Sequence, residues 1–210
     1  MGGNSRKADA CRLMWEDRFA AKDGYLFGVE PSGVLIANPW LALPSQSVLC
    51  VADGEGRNAV QLARYGMYVT SFDLSVTAVG RSNALAKQAG VGVQTHVSDW
   101  NRWDWAQQFD MVAGIFIQFV GPEMRAKQFM DMKSALRSGG RLFLHGYRPE
   151  QIGRGTGGPP TVENMYTETE LHQAFSGWTV ERSASYECEQ ASGSAHMGTA
   201  ALIDFVVRKP

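Results

Sequence analysis

Gly54 and Gly56, one residue apart, and two acids farther along, Asp73 and Asp99, are the residues of this chain whose types and spacing point to chemistry. The glycines sit inside VLCVADGEGRNAVQLA, residues 48–63, where an apolar run gives way to a helical pattern. Glycine tolerates positive φ and lets backbone approach a ligand closely, and the first amides of a helix have no partners within it. Such a turn suits a molecule that lies against bare peptide. Asp73, seventeen residues after Gly56, ends a second β-rich run and offers acceptors to both hydroxyls of a ribose. Asp99 ends a third run, placed to meet a donor such as an adenine amino group. Together these positions outline a nucleoside site.

The elements that must hold them follow from periodicity. Residues 48–51 predict a buried strand and 57–65 a helix, with Ala59, Leu62 and Ala63 at helical spacing. A strand over 67–73 leads to a helix over 75–89 that Ser75 caps and Gly90 stops. Further strands are expected over 91–99 and 109–116, then a helix over 122–137 with Phe129, Met132 and Leu136 on one face, then the strand RLFLHGY after a Ser-Gly-Gly turn. Regular alternation of strand and helix implies an α/β fold, a Rossmann-like doubly wound and mostly parallel sheet. Thr167 and Glu170 have capping-box spacing ahead of a short helix, and two alternating runs at the end predict a C-terminal antiparallel hairpin on the sheet edge. RPEQIGRGTGGPP, opening a loop over 148–165, has no periodicity and is a candidate active-site lid.

Composition narrows the function. The 210 residues suit one domain, 1–210, with 1–46 as an N-terminal cap segment. With 44% hydrophobic and 20% charged residues, the chain resembles an ordinary globular protein. Twenty basic against twenty-one acidic side chains leave a net charge of -1, which argues against nucleic acid as a partner. The start has no apolar leader and no segment is long enough to span a membrane, so a cytoplasmic location with no membrane partner is expected. Cys11, Cys50 and Cys188 lack metal-type spacing, so reduced thiols and no metal are expected. Sequence leaves the oligomeric state open.

Two cofactors compete for the glycine turn. Gly54, Gly56 and Ala59 satisfy GxGxxA, with Asp73 at a distance suited to the ribose of NAD. NAD also needs a pyrophosphate seat and a substantial second domain, and little chain remains for one. S-adenosylmethionine needs acceptors for ribose and adenine, backbone near its methionine end, and aromatic faces for a sulfonium cation.

VLCVADGEGRNA, VTSFDLS, HVSDW, FDMVAGIF and ALRSGGRLFLHGY resemble the successive motifs of class I S-adenosylmethionine-dependent methyltransferases. WEDRF, YLFGVEP, GEGRNA, the GTGGPP loop and GSAHMGTAALIDFVVRKP resemble the tellurite-resistance and thiopurine-methyltransferase-like branch, over residues 12–210. The resemblance implies that Ala52, Gly54 and Gly56 line the methionine end, Asp73 holds the ribose, and Asp99 with Trp100 flanks the adenine. It further implies Trp15, Tyr25 and Phe27 closing over the cofactor, Ile115 and Phe116 on the opposite wall, and Asn58, Leu74 and Ser98 as neighbouring contacts. Tyr25, Gln118, Arg148 and His196 are implied on the substrate side.

Gln118 stands where that branch often has histidine, and His145 where an acid is more frequent, so no side chain is assigned as catalytic. Transfer of a sulfonium methyl by in-line displacement runs largely on positioning. The expected acceptor is a small molecule, and a thiolate or a selenium or tellurium oxyanion would need no base. Carboxylate and hydroxyl acceptors stay open, as do an NAD-dependent oxidoreductase and a sensor that binds S-adenosylmethionine without catalysis.

Overall fold

Val48, Leu49, Cys50 and Val51 are each at most 2% exposed, as a strand covered on both faces must be. The structure, a computed structural model, describes residues 13–192 and 196–210, without the side chains of 192–197. Its strands are β1 (Ser47–Val51), β2 (Tyr68–Asp73), β3 (Val93–Val97), β4 (Phe109–Ile115), β5 (Leu136–Tyr147), β6 (Thr179–Ser192) and β7 (His196–Arg208). They form one sheet in the order β3-β2-β1-β4-β5-β7-β6. The first five run parallel, and β7 lies antiparallel to both β5 and β6. The expected Rossmann-like architecture and terminal hairpin are present.

Helices α1 (Gly33–Ala37), α2 (Arg57–Arg64), α3 (Val76–Ala89), α4 (Pro122–Ser134) and α5 (Glu168–Ala174) flank the sheet, and residues 13–20 are helical. The period-2 alternation of the strands divides the core in two. Val48, Cys50, Met111, Ala113, Phe143 and Val206 face α1 and the Ala59 and Leu62 side of α2. Leu49, Val51, Val112, Leu142, Leu144 and Phe205 face Phe129 and Met132 of α4 and Leu171 of α5. Because α2 and α4 cover opposite faces, the chain parts between β1 and β4, and a crevice opens beyond their carboxyl ends. Among the described residues no helix is long and apolar enough to cross a membrane.

The caps behave as their residues dictate. Ser75 Oγ accepts the Ala78 N–H at 3.0 Å, Gly90 ends α3 at φ +68°, and Thr167 Oγ1 accepts the Glu170 N–H at 3.2 Å. One boundary differs from the pattern. Leu136 continues the apolar spacing of α4, yet it begins β5 and pairs with Phe109. The expected turn at 138–140 is absorbed as a register irregularity of β5, where a Cβ on Gly140 would lie 2.9 Å from the Arg137 carbonyl and 3.1 Å from that of Asp110. β3 is also shorter than the run 91–99, although the Ser98 N–H still reaches the Asp73 carbonyl at 2.9 Å.

Gly56 precedes α2 at φ +86°, and a Cβ there would lie 2.1 Å from Ser82 Oγ and 2.9 Å from Ser82 Cα. Its missing side chain lets α2 start against α3. Gly56→Ala is expected to destabilise the fold by about 2–5 kcal/mol through left-handed strain plus overpacking, read as a lower urea midpoint with an unchanged m value.

Candidate functional site

β1 and β4 both end on strained backbone. Ala52, just past β1, has φ +48°, and Phe116, just past β4, has φ +59°. A non-glycine residue in this region costs about 1–2 kcal/mol, and such strain concentrates where ligands are held. Both residues line a cleft of about 550 Å³, a volume typical of small-molecule sites.

The glycine turn forms its floor. Gly54, at φ +62°, lines the cleft and donates its N–H to Asp73 Oδ2 at 2.9 Å. Asp73 Oδ1 accepts the Ser75 N–H at 3.0 Å. Each carboxylate oxygen is therefore engaged by a backbone amide. Burial pushes the Asp73 carboxyl above its ordinary range, with the amide donors pulling the other way.

Aromatic side chains from the N-terminal segment make one wall. Trp15 and Phe19 have ring centroids 5.8 Å apart, and Phe19 and Phe27 6.1 Å. Two carboxylates fasten this wall to the sheet domain. Glu16 accepts from Ser75 Oγ at 2.6 Å and from the Thr77 hydroxyl. Glu55 Oε2 accepts the Leu26 N–H at 2.8 Å, while its Oε1 pairs with Arg81 at 2.8 Å. Trp100 lines the cleft farther along, its indole N–H donating to Asp131 at 2.7 Å. Leu74, Ser98, Asp99, Asn58 and Ile115 also line it. Asp99 is largely engaged locally, accepting the Asn101 and Arg102 amides at 2.9 and 3.1 Å and meeting the Arg102 guanidinium at 3.3 Å. Asn58 Oδ1 holds the Ser32 N–H at 2.9 Å.

Several expected contacts fall elsewhere. Gly56 does not line the cleft, because its open side is filled by Ser82. Tyr25 is outside as well: its hydroxyl donates to the Arg81 carbonyl at 3.2 Å and its ring packs against the cluster of Val60, Leu85 and Ala86. Arg148 faces Glu150 at 3.6 Å rather than the cleft. Asp73 reaches the cleft through Gly54. The His196 side chain lies outside the described residues, as does Cys11.

Gln118 lines the cleft, but its amide is occupied. Its Oε1 accepts the Tyr147 N–H at 2.6 Å and its Nε2 donates to the Tyr147 carbonyl at 2.8 Å. Gly146 makes room for this clamp, since a Cβ there would lie 2.4 Å from Gln118 Oε1.

Sequence reasoning missed Met14, Arg18, Phe19, Arg57, Phe72, Phe119 and Tyr147, all of which line the cleft, while Gly157, Gly158, Pro159, Pro160 and Asn164 line it from the loop expected over 148–165. Arg57 had a legible signal, a cation placed at the start of a helix, where the dipole opposes it.

Proton-transfer groups are scarce. No His, Lys, Glu or Cys is found among the described residues that line the cleft. Burial raises the Tyr147 phenol, which stays neutral at ordinary pH. His145 is 2% exposed and outside the lining, with Nδ1 2.8 Å from Asp204 Oδ1. Asp204 also accepts from Tyr186 Oη and from Arg182 Nε, each at 2.9 Å. Cys50 is buried, which drives its thiol well above the usual range. No group of described residues has the ligand set of a metal site.

Residues 48–140 match the family model described as a methyltransferase domain. No curated protein matches the chain. Among solved structures, a protein associated with conversion of a disulfide bond into a thioacetal group during echinomycin biosynthesis superposes with TM-score 0.75 at 17% identity, over 95% of this chain and 92% of that one. The N-methyltransferase NodS from Bradyrhizobium japonicum WM9, in complex with S-adenosyl-l-homocysteine, gives 0.71 at 16% identity over 95% and 98%. TehB from Haemophilus influenzae gives 0.69 at 19% identity over 93% and 67%. Residues 48–140 thus resemble a methyltransferase domain, and the chain as a whole shares the fold of these solved structures.

Asp53, inside the glycine turn, accepts the Ala59 N–H at 3.3 Å, and loss of hydration pushes its carboxyl from 3.8 up to about 7, with the Asp73 charge adding to the rise. Below pH 3.8 both folded and unfolded states hold this proton; between there and about 7 only the folded state does, so ionisation erodes stability as pH rises. Asp53→Asn is expected to leave stability unchanged near pH 3.5 and to raise it by about 1–3 kcal/mol above pH 7, measured by urea unfolding across pH.

Proposed function

We propose that the protein is an S-adenosylmethionine-dependent methyltransferase acting on a small-molecule acceptor. The carrying observation is the cleft at the β1/β4 switch point, with a glycine floor held by Asp73, aromatic walls and the Asp99 carboxylate after β3. Those features suit the cofactor. Backbone at Ala52 and Gly54 would meet its methionine end, Asp73 beside Gly54 its ribose, and Ser98, Asp99 and Trp100 its adenine. Faces of Trp15, Phe27 and Phe116 accommodate a sulfonium.

S-adenosylmethionine, when bound, supplies a methyl group already activated for displacement. What this chain contributes is orientation and exclusion of water. The N-terminal wall, fastened through Glu16 and Glu55, covers the cleft from one side, and the glycine-proline stretch borders it on another. We take residues 1–46 as a cap and 148–165 as an active-site loop of a single cytoplasmic domain. Among the described residues that line the cleft the one carboxylate is Asp99, which is engaged with the Asn101 and Arg102 amides, so a nucleophile that is ionised without help suits this site. A thiol or a selenium or tellurium oxyanion fits that requirement, and the resemblance to the thioacetal-forming protein points toward sulfur.

The filled space at Gly56 argues against NAD, because the second glycine of GxGxxA serves helix packing instead of opening a pyrophosphate seat. Calorimetry is expected to show micromolar binding of S-adenosylhomocysteine and none of NAD; the reverse pattern would sink the proposal. Asp73→Ala is expected to weaken S-adenosylhomocysteine about tenfold or more through lost ribose contacts and a loosened Gly54. Labelled S-adenosylmethionine incubated with thiols, selenite and tellurite should give methylated product, whereas tight binding without transfer to any of them would favour a sensor.

A further inference from the structure

We propose that Arg57 is the charge anchor for the acceptor, and that the acceptor is a small anion bearing a carboxylate or other oxyanion. The inference rests on the methyltransferase reading and adds the chemical class of the second ligand.

Arg57 is 6% exposed and lines the cleft. A guanidinium so placed normally has a carboxylate against it. Among the described residues Arg57 forms no salt bridge, although eleven other pairs do. Among the described residues its hydrogen bonds run from Nη1 to the carbonyls of Phe27 and Glu30, both at 3.4 Å. Position makes the charge costlier still, because Arg57 is the first residue of α2, where the helix end is itself positive. Two acids act on it from farther away. Glu55 is committed to Arg81 and two backbone amides, and Asp53 is engaged with the Ala59 amide. A buried cation, a helix start and an open cleft therefore converge with no carboxylate in contact among the described residues. The guanidinium fork matches a carboxylate or oxyanion with two parallel hydrogen bonds.

Location separates this charge from the nucleoside, and the test below separates the acceptor from the donor's own carboxylate. Arg57 and Tyr147, the latter at the end of β5, line the same cleft. Gly158, whose Cβ position is 3.3 Å from Tyr147 Cγ, brings the glycine-proline stretch to the same end. The residues proposed for ribose and adenine lie after β2 and β3, on the far side of β1. An anion at Arg57 thus sits where the nucleoside does not.

The test is calorimetry on the wild-type complex with S-adenosylhomocysteine, using benzoate and selenite as anionic probes and benzamide as a neutral isostere. At least one anion should bind and benzamide should not. Arg57→Gln should weaken that anion about ten- to a hundredfold while changing S-adenosylhomocysteine less than about threefold, and Arg57→Lys should recover part of the loss. The ligand-free Gln variant should melt no lower than wild type, since it removes an uncompensated buried charge.

Equal binding of benzoate and benzamide, no binding of either anion, or indifference of the anion to Arg57→Gln would each overturn the assignment. The wild-type comparison of benzoate with benzamide decides it even if the Gln variant fails to fold. A loss of S-adenosylhomocysteine affinity in Arg57→Gln, with 5′-methylthioadenosine unaffected, would also overturn it by giving Arg57 to the donor's own carboxylate. Failure of wild type to bind S-adenosylhomocysteine at all would instead strike the underlying methyltransferase reading.

Discussion

One carboxylate, that of Asp73, ties together the parts on which the cleft depends. It ends β2, takes the Gly54 amide from the turn after β1, and takes the Ser75 amide from the turn into α3. Parallel strands share no hairpin, so their carboxyl ends would otherwise be joined only by backbone pairing farther down. The side chain fixes the glycine turn against its neighbour. Because it is buried, the fixing is stiff: its amide bonds have little competing water. Ser75 then passes the constraint outward, for its hydroxyl caps α3 and also bonds Glu16 of the cap segment. Floor and wall share a single point of reference.

Positioning is also what the chemistry asks of this cleft. A donor group that is already activated leaves the protein to hold two reactants in line and keep water away. The side chains match that division of labour. Aromatic rings and prolines border the space, while polar groups such as Gln118 and Asn58 hold backbone in place. The His145–Asp204–Tyr186–Arg182 network is buried in the terminal sheet beside the ring of Phe116, 4.7 Å from His145, and stiffens that wall without entering the cleft.

Much of this was legible in the sequence where local rules and global fold agree. The Ser75 cap, the Gly90 stop, the strands β1 and β4 and the closing hairpin all follow from short-range patterns. Most of the cleft lining was legible too, because the glycine turn and the ends of β2 and β4 fix where a ligand lies. Misplacements arose where one residue type answers two demands. Gly56 reads as a ligand glycine, yet Ser82, distant in sequence, is what needs the space. Leu136 keeps helical spacing past the end of α4 because its burial is set by the sheet. Gln118 reads as a polar lining residue, and its engagement with Tyr147 depends on the absence of a side chain at Gly146, on another strand. Arg57 is the instructive omission, since its unusual position could be seen while its want of a contacting carboxylate among the described residues could not.

The sheet order carries a consequence for biosynthesis. β7 is the last strand in the chain, yet it lies between β5 and β6. While a ribosome is still making the protein, β6 emerges with no neighbour to bond, and β5 keeps one edge bare. The five parallel strands can assemble as they appear, but this far side stays unzipped until residues 196–208 have cleared the exit tunnel. Asp204, which must reach His145 and Arg182 together, is made after both, so the buried charge network closes only once β7 is in place.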